Sequence, residues 1–247
     1  MRACTRRILT DNTAARTHRM NSETAMTTRS GDSRRALLIS AGQLFADQGY
    51  DGVTTRAISE AAGVQLSAIH YHFGTKESLY LEAFRYAYEK DRRIDFLEIL
   101  AENPDKGMTA EGQAYIVEKT VRLYFRNIFN PQRPSWETRL LVREIVSPST
   151  ALPLLARTFM QSSVIGSEKF CKMVRPEMTD RQAAIWTDTL FSHAFFYILA
   201  AKPISMVRGE QWLNPEYFED AATMVARFMI RELELPLPKT LRSNSSG

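Results

Sequence analysis

The chain has 247 residues, 44% hydrophobic and 24% charged, a globular composition with room for one large domain or two smaller ones. No apolar run in the sequence approaches the roughly 18 to 20 residues that span a bilayer, and no continuous apolar leader is visible, so membrane insertion and secretion are not expected. The net charge of +4 lies wholly in residues 1–31, where Arg2, Arg6, Arg7, Arg16, Arg19 and Arg29 face Asp11 and Glu23; the remainder balances 26 basic against 26 acidic residues. The basic pI is therefore no argument for nucleic-acid binding by the rest of the chain, which must be judged on local geometry.

Residues 1–31 are rich in Thr, Ser, Arg and Asn without a sustained period and read as a disordered basic tail. Two readings stand: a basic arm that adds phosphate contacts, or translation from a start upstream of Met20 or Met26. Asp32 can cap a helix over 33–48, whose apolar stripe includes Ala36, Leu37, Ala41, Leu44 and Phe45. A turn at 49–52 precedes a helix over 55–62 capped by Thr54; Gly63 breaks it, and 65–73 forms the next. Thr75 caps a longer helix expected to reach about Leu97. Further helices are predicted over 112–129, 136–146 and 152–173. Thr179 with Gln182 makes a capping box for a helix to about Ala200, and Asn214-Pro215 opens the last, to about Glu232. The most apolar piece, 190–201, is short and contains Ser192 and His193. Pro236 and Pro238 close the pattern, and 236–247 reads as a disordered tail. The fold class is all-α with about nine helices: a tail 1–31, a three-helix domain 32–84, a helical bundle 85–235 and the final tail. Cys4 and Cys171 make no disulfide framework, which points to a reduced, cytoplasmic setting.

The two short helices around Gly63 form a helix-turn-helix, a unit that lays its second helix in the major groove. Ile58 with Ala62, Val64, and Ile69 with Phe73 supply its small core, and Ala61 is small enough for close helix approach. The outer face of the second helix then carries Leu66, Ser67, Ala68, His70 and Tyr71. Ser67 and His70 can hydrogen-bond base edges or phosphate, and Leu66 and Ala68 can touch thymine methyls. Tyr71 and His72 near the helix end, Lys76 at the next helix start, and Thr54, Thr55 and Arg56 at the first suit phosphates, whose contacts position the protein while base contacts specify.

The stretch ALLISAGQLFADQGYDGVTTRAISEAAGVQLSAIHYHFGTKESLY resembles the DNA-binding domain of the TetR/AcrR family of bacterial regulators over about 35–84. The likeness rests on Ala-x-x-Leu-Phe with Gly49-Tyr50, then Thr54-Thr55, Ala61-Ala62-Gly63-Val64, His72-Phe73 and Lys76-Glu77. It implies a homodimer on a palindromic double-stranded operator, released when a small hydrophobic or amphipathic effector occupies the C-terminal domain. It also implies phosphate contacts at Thr55 and Lys76 and base contacts from Leu66 to Ala68 with His70. Many members have Tyr where this chain has His70. SWETRLLVREIVSPSTALPLL and the form AIHYHFG resemble the CecR-type regulators.

Beyond that domain the candidates are weaker. Arg139 and Arg143 are four apart, either a salt-bridged face or arginines meeting an acidic effector. His193 in an apolar helix is a satisfied core histidine or a cavity donor. Trp136, Phe159, Trp186 and Tyr197 are further candidates for lining an effector cavity. Phe191, Phe195, Met224 and Phe228 on the last two long helices are candidates for the dimer interface. His70 and His72, two apart on a helix, diverge and offer no shared metal; no metal or cofactor is expected. The competing class is an all-α enzyme or cofactor protein, which would need a convergent acid–base or metal set that the sequence does not display.

Overall fold

The computed structural model describes residues 31–89, 95–149 and 151–242, which are helical with no strand among them. They form two compact units that part between Ala83 and Phe84. In the first unit, α1 spans 31–52, α2 Thr55–Ala61, α3 Leu66–Phe73, and α4 starts at Lys76 and runs to Glu89. Of the stripe read from the sequence, Leu37, Ala41 and Phe45 are enclosed while Ala36 and Leu44 are half-buried; Leu38 and Ala46 join them inside, with Ile58, Ile69, Leu79 and Tyr80. Each enclosed Leu, Ile or Phe contributes roughly 1.5–3 kcal/mol, so this small core rests on a handful of side chains. Tyr80 meets Phe45 edge-on at 4.8 Å and Tyr50 at 5.0 Å.

The second unit holds α5 Phe96–Glu102, α6 Ala110–Ile128, α7 Ser135–Val146, α8, α9 Asp180–Arg208 and α10 Pro215–Glu232. Helix α8 is continuous over 152–174, and its Ala156–Met160 turn is a π-helix. The core forms where α6 packs on α10 and α8 packs on α9. Phe96 stacks on Phe170 at 4.9 Å and meets Trp186 at 5.4 Å. The Trp186 indole N–H donates to Met229 O at 3.1 Å, so its one polar atom is partnered inside the core.

Four expectations are corrected. The described residues hold ten helices, taking 152–174 as one, against about nine. The helix expected to run from Lys76 to about Leu97 is described only to Glu89, and a separate helix starts at Phe96, where the Asp95 carboxylate accepts the Leu97 N–H at 2.7 Å as an N-cap. Helix α9 does not stop near Ala200 but continues through Pro203 to Arg208. A proline there removes one donor, but Leu199, whose carbonyl loses its bond, and Pro203 are both exposed, so water can replace it. That length makes α9 long and apolar enough to cross a membrane by composition, although little of its most apolar window is buried within the protomer. Finally, residues 236–242 are packed rather than disordered. Leu241 is fully buried, Arg227 Nε donates to its carbonyl at 2.7 Å, and the Thr240 hydroxyl donates to Glu118 at 2.8 Å. The expected tail 1–31 lies outside the described residues except for residue 31, which is helical, and 243–247 lies outside them as well.

Candidate nucleic-acid interface

Helix α2 begins at a built cap. Thr54 takes an extended backbone, and its hydroxyl oxygen accepts the Ala57 N–H at 3.1 Å. Gly63 turns the chain at φ 66°, a conformation that costs a Cβ-bearing residue but not glycine. The turn is closed by Gly63 N–H to Glu60 O at 3.2 Å and Val64 N–H to Ser59 O at 3.0 Å. Ile58, Ile69 and Phe73 are buried between the two helices; Ala62 and Val64 are half-buried, and Ala61 faces solvent instead of the contact.

That packing leaves α3 with one free face. Leu66, Ser67, His70 and Tyr71 are exposed, Tyr71 to 79%, while Ala68 and His72 are half-buried. So large an aromatic surface on an eight-residue helix is not required by the fold. Tyr71 rests edge-on against His72, ring centroids 4.9 Å apart. His72 is held below the usual histidine range, by its partial burial first and by the positive Arg34 second. Arg34 lies 5.3 Å over the Phe73 ring and pairs with Glu82 at 2.7 Å.

At the start of α4, the Thr75 hydroxyl oxygen accepts the Ser78 N–H at 3.0 Å. Lys76 follows, its ammonium 4.4 Å above the Tyr50 ring. This cation–π contact, which the sequence reading missed, keeps the lysine from swinging freely. Tyr50 itself is pushed up in pKa by burial, with Glu77 and Asp51 adding to the effect. Arg56 is turned onto Glu60 at 2.9 Å, an exposed i,i+4 pair, and Thr55 is half-buried. Thus Thr54, Thr55 and Arg56 gather at one helix start, Lys76 sits at another, and Leu66 to Tyr71 form the face of α3.

The described residues among those proposed from sequence for an effector cavity lie on α7 (Trp136, Arg139, Arg143) and α9 (Trp186, His193, Tyr197). Trp136 and Trp186 are buried as packing, the latter with its indole satisfied by Met229. His193 Nδ1 lies 2.6 Å from Thr189 O on its own helix, which satisfies the ring locally. Tyr197 sits among Phe125, Phe129, Tyr217 and Phe218, and burial, with Tyr217 beside it, pushes its pKa up to about 12. Arg139 is exposed and donates to Ser135 at 2.9 Å; Arg143 is half-buried. The Phe159 side chain lies outside the described residues. A groove of about 360 Å³ opens elsewhere in the unit, between the end of α6 and the start of α10. Phe125, Phe129 and Phe218 line it with Arg126 and Glu219, whose 2.9 Å ion pair lies at its edge. Among the described residues no group of three or more His, Cys, Asp or Glu could hold a metal ion.

The apolar surface is arranged differently from expectation. Phe191 is turned inward against Tyr124 at 5.4 Å, and Phe195 is half-buried. Among the exposed positions of α9, Ile185, Thr189, Ser192, Phe196, Leu199, Pro203 and Met206 alternate four and three apart, with Asp188, Lys202 and Val207 exposed beside them. That spacing is the seam of a helix meant to lie along another helix. Met224 and Phe228 on α10, 59% and 53% exposed, lie one turn apart.

A helix-turn-helix unit joined to a helical bundle is the class of protein that this fold defines. Residues 37–83 match the family model described as bacterial regulatory proteins, tetR family, so the N-terminal unit is similar to the DNA-binding domains of that family. The chain is 38% identical over 72 residues to the HTH-type transcriptional repressor AcnR of Corynebacterium glutamicum, covering 29% of this chain and 36% of that protein. The match thus spans about a third of the length of that relative. Among solved structures, a TerR/AcrR-family transcriptional regulator from Aquifex aeolicus VF5 aligns over 79% of this chain and 99% of its own at a TM-score of 0.52 and 18% identity. AibR in complex with isovaleryl coenzyme A and operator DNA aligns over 79% of this chain and 97% of its own, at 0.55 and 13%. These likenesses establish that the second unit shares their helical fold.

Proposed function

We propose that this protein is a transcriptional repressor that binds operator DNA as a homodimer through α3 and is released by a small effector in the helical bundle. The observation that carries the reading is the free face of α3: Leu66, Ser67, His70 and Tyr71 exposed on the second helix of a TetR-type unit, with Lys76 held over Tyr50 beside it. Two such units, placed about 34 to 36 Å apart or a small multiple of that, would meet successive major grooves on one side of the duplex. Affinity falls to a few placed groups, because 32–90 carries six basic and seven acidic residues.

Dimerisation is supported by the exposed heptad-spaced stripe on α9 and by Met224 and Phe228. The same stripe accounts for α9 being so apolar without being buried, so no membrane is invoked, and the working compartment is the cytoplasm. Repression is supported by the likeness of this unit to AcnR, a transcriptional repressor. Effector control is supported by the fold shared with AibR, solved with both a coenzyme A thioester and operator DNA. An effector must bind the DNA-incompetent arrangement more tightly to shift the balance. The segment from Ser135 to Leu155 also carries the likeness to CecR-type regulators, the finer assignment we favour.

The test is a mobility shift with the DNA flanking the gene. The double variant Tyr71→Ala, Lys76→Ala leaves the core intact, since Tyr71 is exposed, and abolishes the shift. An unchanged shift in that variant, or no shift of the parent protein, contradicts the reading.

A further inference from the structure

Helix α3 reads LSAIHYHF and contains no arginine or lysine. The commonest sequence-specific contact to DNA, a cationic side chain on guanine O6 and N7, is therefore missing from the helix that should read the bases. The polar side chains on its exposed face are Ser67, His70 and Tyr71, whose hydroxyl lies near the helix end where it suits a phosphate. A serine hydroxyl donates or accepts as required. His70 is different, because its hydrogen-bonding polarity is set by the fold.

His70 Nδ1 lies 3.1 Å from the carbonyl oxygen of Gly74. A carbonyl has no proton to give, so the shared proton sits on Nδ1. In the neutral ring, Nε2 is then a bare lone pair, an acceptor only. The backbone maintains this arrangement from both sides. Gly74 N–H donates to His70 O at 3.1 Å, and Gly74 takes φ 74° and ψ −63°, which aims its own carbonyl back at the imidazole. A side chain at position 74 would find open space but a strained backbone, so glycine is needed for conformation and not for room.

In the major groove, adenine and cytosine present exocyclic amino donors, whereas guanine presents N7 and O6 and thymine presents O4, all acceptors. A bare Nε2 attracts the first two and is repelled by the others. On the reading that α3 enters the major groove, we propose that His70 is a specificity-determining residue which, fixed as the Nδ1–H tautomer by Gly74, accepts through Nε2 a hydrogen bond from the amino group of an adenine or cytosine. The chain thereby reads an amino group with an acceptor where an arginine would read guanine with donors.

The experiment is in-vitro selection from random duplex DNA with the full chain, alongside His70→Ala and His70→Arg. The parent selects A or C at one position, mirrored in the second half-site, and the base recovered says which amino group is read. His70→Ala loses the preference at that position alone, and His70→Arg replaces it with G. Substituting the selected adenine by a purine lacking the 6-amino group, or the selected cytosine by 2-pyrimidinone, weakens the parent by roughly fivefold per half-site, the size of one neutral hydrogen bond, and leaves His70→Ala unaffected. The proposal is overturned if His70→Ala keeps the parental motif, if it weakens every position equally as a loss of helix capping would, or if the analogue weakens both proteins alike. Failure of the parent to enrich any motif overturns the DNA-binding reading itself, and this proposal with it.

Discussion

Replacing Phe196 with serine should break the dimer without unfolding the protomer. Phe196 is 58% exposed. With a phenylalanine presenting about 200 Å² in all, roughly 115 Å² waits to be covered, worth about 3 kcal/mol at ~25 cal/mol per Å². A symmetric interface contains the residue twice, and allowing for half of that area staying wet leaves about 3 kcal/mol lost per dimer. That corresponds to dimerisation weakened by roughly two orders of magnitude. Sedimentation equilibrium over a concentration series measures it, with thermal unfolding of the protomer as control. Phe191→Ser supplies the contrast: that ring packs inward on Tyr124, so its loss should lower protomer stability. A parent chain that sediments as a monomer, or a Phe196→Ser protein with the parental dimer constant, refutes the assignment of the α9 stripe to self-association.

Other perturbations have equally definite outcomes. Lys76→Ala should weaken binding across all DNA sequences alike and reduce the salt dependence by about one phosphate contact per half-site; Tyr50→Leu should reproduce part of that loss by removing the ring under the ammonium, and a parental salt slope in both speaks against the contact. His72 has its folded pKa lowered, so the unfolded chain takes up its proton first as pH falls. Its contribution to stability is therefore full above about pH 6.5, the free-histidine value, and is lost as pH falls through the lower folded pKa. His72→Gln should accordingly flatten the acid side of a urea-midpoint profile between pH 7.5 and 5, and an unchanged profile contradicts the assignment. Leu241→Ala empties a fully enclosed site and should cost about 2–4 kcal/mol by thermal unfolding, whereas a free tail would lose nothing.

The helix-turn-helix was legible in the sequence because the caps and the turn that build it are local. Thr54, Gly63 and Thr75 act within three or four residues of themselves, and Ile58, Ile69 and Phe73 pair across a single turn. Helix α10 was legible for the same reason: Asn214 accepts the Tyr217 N–H at 2.8 Å and Pro215 follows at the first helical position. Helix α9 was not, because its apolar residues lie all round it and the periodic contrast that tells one face from another is missing. Sequence reasoning therefore offered Phe191 and Phe195 for the dimer face, whereas in the structure Phe191 turns in against Tyr124 and it is Phe196 and Leu199 that are exposed. Trp186 was offered as an apolar lining residue on its bulk alone; that its N–H is satisfied by Met229, 43 positions away, no local pattern could show. The packing of Leu241 depends on Glu118 and Arg227, both distant in sequence, and the two prolines before it gave no sign of a return to the core. The cation–π contact of Lys76 likewise joins residues from two helices that no local pattern links.

The most direct test of the central claim is a genome-wide footprint of the protein bound to DNA in the cell. The account predicts a small number of enriched sites near promoters, each with two inverted half-sites whose centres lie one helical turn, about 34 to 36 Å, or a small multiple of it apart, and each lost with the Tyr71→Ala, Lys76→Ala double variant. A footprint spread evenly over the chromosome, or one unchanged in that variant, would contradict it.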